Sequence, residues 1–110
     1  MSGGHFDYKQ YEFGYIADEV EELIRKNGSE EKDSWGYPRH STFESDTIEK
    51  FKEALVILRM AQVYAQRIDW LVSGDDGEDS FHARLATEID QLRNSHFKFL
   101  KEIEDVKYSK

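Results

Sequence analysis

Apolar residues recur along this chain at intervals of three and four, the spacing that gathers them on one face of an α-helix. Tyr8, Tyr11 and Tyr15 open such a run, and Ile16, Val20, Leu23 and Ile24 continue it, which predicts a first helix over residues 7–26. Gly14 interrupts the run and lowers helix stability by about 1 kcal/mol relative to alanine, so a start beyond it is an alternative. Asn27-Gly28 tolerates the left-handed backbone and stops the helix. Residues 29–40 lose the apolar period and hold the one proline, Pro38, so residues 27–45 read as a loop. Trp35 and Tyr37 are large rings in that polar stretch and are expected to be pinned on the core or on a partner.

The next pattern is the clearest. Phe51, Leu55, Leu58, Ala61, Ala65, Ile68 and Val72 form one stripe, widened by Ala54, Ile57, Tyr64 and Leu71, with Lys52, Arg59 and Gln66 on a narrow opposite face. So broad an arc needs neighbours on more than one side. Ser41-x-x-Glu44 and Asp46-x-x-Glu49 both fit a capping box at its start, and Ser73-Gly74 ends it. A third helix opens after Asp79 or Ser80, either of which makes a good N-cap. Its seam is Leu85, Ile89, Leu92, His96, Phe99, Ile103 and Val106, spaced as a heptad, with Phe81 as a forward extension.

Two long helices joined by a short loop imply an antiparallel hairpin over residues 46–108. The fold class is therefore all-α: a three-helix bundle in a single domain spanning 1–110, with residues 1–6 a flexible lead. A hairpin leaves one side of a wide stripe uncovered. The first helix covers part of it, and a second copy is expected to cover the rest, making the protein a homo-oligomer.

Composition narrows the functional classes. There is no cysteine, which excludes disulfides, thiolate metal sites and cysteine nucleophiles and suits a reducing compartment. The net charge of −8 opposes duplex nucleic acid and anionic membranes. No run is apolar enough to span a bilayer, and the N-terminus lacks a secretory pattern, so a cytoplasmic protein is expected.

Candidate chemistry concentrates in the hairpin loop, Ser73-Gly74-Asp75-Asp76-Gly77-Glu78-Asp79-Ser80-Phe81-His82. Four carboxylates within five residues suit a cation or a polar ligand. The same acids also complement the positive N-terminus of the third helix, as a plain solvated turn would. The spacing does not fit an EF-hand loop. His5, His40, His82 and His96 show no metal-ligand spacing, and no nucleophile is paired with a base, so no catalytic residue, metal or cofactor is assigned. His96 reads as a core or interface residue. The run Gly3-Gly4-His5-Phe6-Asp7-Tyr8 lacks the order of a phosphate-binding loop.

Three stretches carry a resemblance: Met1-Ser2-Gly3-Gly4-His5-Phe6-Asp7-Tyr8, Ala65-Gln66-Arg67-Ile68-Asp69-Trp70-Leu71, and the loop decapeptide Ser73–His82. Together they resemble a family of short uncharacterised proteins encoded in phages and bacterial prophages. The resemblance implies a viral context, in which proteins of this size counter host defence by sequestering a nucleotide signal or by binding a host protein. Two readings follow. One is a non-enzymatic binding module for a small polar or nucleotide-type ligand, with Tyr8, Tyr11, Arg67, Asp69, Trp70, Asp79, His82 and Arg84 as contacts. Arginines and rings suit phosphates and bases, and carboxylates suit ribose hydroxyls. The other is an acidic helical interaction protein that binds a host protein through Glu19, Glu21 and Glu22.

Overall fold

A computed structural model describes residues 5–28, 34–37 and 42–108. The opening residues 1–4, Pro38, His40 and the Ser41 of one proposed capping box lie outside them. Three helices run α1 (Tyr11–Lys26), α2 (Ser45–Val72) and α3 (Glu78–Tyr108), and no strand occurs among the described residues. The molecule measures 54 × 29 × 19 Å, with α2 in the middle and α1 and α3 each packed along it.

Helix α1 begins at Tyr11, later than residue 7 and ahead of Gly14. Asp7 and Tyr8 are the reason: both have left-handed backbone, at φ 54° and 64°, and cannot continue a right-handed helix. Residues 5–10 form a tight turn instead, with Lys9 N–H donating to Phe6 O and Tyr11 N–H to Tyr8 O. Gly14 stays inside the helix because α1 lies so close to α2 there that the Gln62 side chain fills the place of a β-carbon. Asn27 closes the far end, accepting from Phe43 N–H at 2.7 Å and so holding the entry to α2. Trp35 and Tyr37 are 82 % and 68 % exposed, so the core does not enclose them, the first of the two places expected for them.

Helix α2 starts at Ser45, inside the window the two boxes set, and Asp46 lies within the helix and is not its cap. Glu44 is the N-cap residue, and no side chain caps the helix. The C-terminus closes as a Schellman motif: Gly74 at φ 85° lets Asp75 N–H reach Trp70 O and Gly74 N–H reach Leu71 O. Helix α3 starts at Glu78, earlier than Asp79 or Ser80. Ser80 is consumed in the turn, donating to the Asp76 carboxylate and accepting from Gly77 N–H.

Ala17, Ile24, Ile48, Leu55 and Phe99 make the core, with Val20, Phe51, Leu58, Leu100 and Ile103 packed against it. Ile89 and Phe99 of the α3 seam are buried, and Leu85, Leu92, His96 and Ile103 are half-buried. Burial, then the positive charge of Arg59, holds the His96 pKa below the ordinary 6.5. Unfolded protein therefore takes up a proton that folded protein resists, so the contribution of His96 is intact above pH 6.5 and is lost as pH falls below it. The urea midpoint is expected to fall between pH 7 and 5.5, and His96→Gln to flatten that decline. An equally steep decline in the variant would assign it to other groups.

The second half of α2 is turned the other way from expectation. Its apolar residues Ile57, Tyr64, Ile68 and Val72 lie exposed, and its polar residues face the neighbouring helices. Arg67 and Asp69 are buried, Arg59 pairs with Asp18 and Glu21 of α1 at 3.1 and 3.0 Å, and Gln66 accepts from Gln10 at 2.8 Å. Of the expected stripe, Leu55 is buried, Phe51, Leu58, Ala61 and Ala65 are half-buried, and Ile68 and Val72 are exposed. Polar pairing across a close helix contact explains the reversal. Gly14 admits Gln62, Gln66 pairs with Gln10, Asp69 takes Phe6 N–H, and Arg67 lies in ion pairs with Asp76 and Glu88.

Candidate functional site

Two regions gather the polar residues singled out by the sequence, on different sides of α2. The first is the N-terminal turn. Asp69, buried near the end of α2, accepts Phe6 N–H on Oδ1 at 2.9 Å and Gln10 Nε2 on Oδ2 at 3.5 Å. Phe6 is thus hydrogen-bonded through its backbone to α2. Between the turn, α1 and Ala65 of α2 lies a groove of about 470 Å³. Phe6, Phe13, Ile16 and Ala65 form its apolar walls; His5, Lys9, Gln10, Asp7 and Glu12 supply the polar groups. Gln10 is buried, and its Oε1 makes no hydrogen bond among the described residues. Tyr8 and Tyr11 stand beside this groove without lining it. Their exposed rings stack on one another, 6.2 Å apart and 29° from parallel.

The second region is the hairpin end. Arg67 is buried between two acids, with Nε 2.8 Å from Glu88 Oε1 and Nη1 3.5 Å from Asp76 Oδ2. Its guanidinium also lies 4.2 Å from the Trp70 ring centre. These ion pairs are close but out of line for hydrogen bonding, and the four atoms involved make no other hydrogen bond among the described residues. Asp76 is the hub of the loop. It takes the Ser80 hydroxyl and Arg67, and Arg84 Nη1 stands 3.7 Å from its Oδ1. An open groove of about 430 Å³ runs beside Arg67, Arg84, Thr87 and Glu88.

The hairpin therefore brings together Arg67, Trp70 and Arg84 but leaves Asp79 and His82 exposed, outside both grooves. Asp69 serves the N-terminal turn instead. The loop acids are not equivalent, since Asp76 is buried in ion pairs whereas Asp75, Glu78 and Asp79 are exposed. Among the described residues no three His, Asp or Glu side chains come together as a metal site.

Sequence reasoning missed Gln10 and Glu88, and did not set Asp76 apart from the other loop acids. A signal for Glu88 was present: buried Arg67 needs a counter-charge, and an acid facing the hairpin on α3 is the place for one. On α1, Glu21 is taken up by Arg25 and Arg59, which leaves Glu19 and Glu22 as the exposed acids of the proposed interaction face. No described helix is long and apolar enough to cross a membrane. The chain matches no family model, no curated protein and no solved structure.

Proposed function

We propose that this chain is a non-enzymatic binding protein that holds a small polar ligand with a flat ring, of nucleoside or mononucleotide type, and that it works as a homo-oligomer. In the phage setting implied by the resemblance, the role is to sequester a nucleotide-type signal of host defence in the host cytoplasm. The groove at the N-terminal turn carries this reading. Its volume of about 470 Å³ falls within the range of small-molecule sites, and it joins apolar walls to a few polar groups. Phe6 and Phe13 offer ring faces, Gln10 Oε1 an unused acceptor, and Lys9 a cation for a phosphate. The hairpin end supports it less, because two acids already neutralise Arg67.

A thermal-shift screen against nucleosides, nucleotides and divalent ions tests the proposal. A phosphate-bearing ligand is expected to raise the melting temperature. Lys9→Ala should weaken that ligand roughly tenfold, equivalent to about 1.4 kcal/mol, with the melting temperature of the free protein unchanged. No shift with any nucleotide, or full affinity in the variant, would overturn this reading. The acidic-interaction alternative predicts instead a salt-sensitive protein partner whose binding is lost in Glu19→Lys/Glu22→Lys.

A further inference from the structure

The bare side of α2 has the spacing of an interface. Ile57, Ala61, Tyr64 and Ile68 recur at four, three and four residues, the interval of a helix–helix seam, yet the three large ones stay exposed, Ile57 at 62 %. We infer that α2 pairs antiparallel with α2 of a second copy along this seam, about a two-fold axis beside Tyr64, and that the partner helix walls the N-terminal groove at Ala65. This rests on the oligomeric part of the function proposed above.

Three observations select a second copy as the occupant. Between Ile57 and Val72 the charged residues of α2 are turned inward, where Arg59 pairs with α1 and Arg67 with Asp76 and Glu88. The exposed side thus gives a charged partner nothing to read. The α2 seam is continuous with Phe13 and Ile16 of α1 through Ala65. The pattern also complements itself. Antiparallel pairing sets the Ile57 position against Val72 at the ends and, between them, the small Ala61 against Ile68 and Ala65 against Tyr64, the large-against-small matching that packs a core.

Charge fixes the direction. Parallel pairing would lay the exposed Asp75, Glu78 and Asp79 of one loop beside those of the other. Antiparallel pairing parts the loops by the length of the seam, roughly 22 Å for fifteen residues at 1.5 Å each. That exceeds the screening length of about 8 Å at physiological salt. Ala65 borders both the seam and the groove, so the groove stays open on one side until the partner helix arrives.

The chain has no cysteine, so single thiols report the geometry in the full-length protein. Sedimentation of the wild type should give a dimer or a multiple of one, and Tyr64→Glu should give monomers with unchanged helical circular dichroism. A short bis-maleimide should link Tyr64→Cys to itself. It should link Ile57→Cys only when Val72→Cys is mixed in. A monomeric wild type at high micromolar concentration, a Tyr64→Glu dimer, or self-linking of Ile57→Cys would each overturn the pairing. Nucleotide binding is read separately through Lys9→Ala, so a dimer that links as described but binds no nucleotide supports this interface and overturns the ligand reading.

Discussion

Replacing Arg67 with alanine is expected to destabilise the protein by about 3 kcal/mol, because breaking a buried ion pair strands its partners. Asp76, whose side chain is almost wholly buried, would lose the guanidinium that neutralises it, and Trp70 would lose the cation over its ring. Glu88 would suffer less, since it reaches solvent. Urea denaturation followed at 222 nm reads the cost, and Trp70 fluorescence reads the loosening of the hairpin end. Adding Asp76→Asn to Arg67→Ala should recover part of the loss, because the stranded charge is removed. If Arg67→Ala costs under about 0.5 kcal/mol, as an ordinary surface substitution would, the hairpin end is not clamped by this residue.

Leu55→Ala should cost a similar amount, about 3 kcal/mol, within the usual range for a buried leucine cut back to its β-carbon. Leu55 is 1 % exposed and sits where all three helices supply core residues: Ala17 and Ile24 from α1, Ile48 from α2 and Phe99 from α3. Few other apolar side chains are fully enclosed in this slender molecule, so little can move in to fill the cavity. The telling control is two residues away. Ile57→Ala, at an exposed position, should cost less than about 0.5 kcal/mol in protein dilute enough to be unassembled. Equal costs at residues 55 and 57 would mean that α2 is rotated from the orientation described.

That pair of residues also shows how much the sequence revealed. Three helices, their order and the antiparallel hairpin followed from periodicity and from Asn27-Gly28 and Ser73-Gly74, since those signals are local. The α3 seam was legible because a single heptad ran through it. On α2 two heptads interleave. Ile57, Ala61, Tyr64 and Ile68 are apolar, whereas Arg59, Gln62, Gln66 and Asp69 follow from Leu55 with the same spacing. The rule that apolar residues face the core selects the first set, but the structure leaves its large members exposed and turns the second set inward, Asp69 buried and Arg59, Gln62 and Gln66 half-buried. Polar groups can turn inward there because partners far away in sequence meet them, Asp69 meeting Phe6, Gln66 meeting Gln10 and Arg59 meeting Asp18 and Glu21. No local pattern encodes such pairings. The candidate site divides in the same way. Arg67, Trp70 and Arg84 meet because the hairpin folds them to one end, whereas Asp69 belongs to a turn shaped by left-handed Asp7 and Tyr8.

The reversed α2 underlies both the groove and the open seam, and a nuclear Overhauser experiment on isotope-filtered, full-length protein tests it most directly. Within one chain, the side-chain amides of Gln10 and Gln66 should cross-relax, and Gly14 should do so with Gln62. Tyr64 and Ile68 should in addition show contacts between copies. Intrachain contacts from Tyr64 and Ile68 to α1, with none from Gln66 to Gln10, would contradict the account.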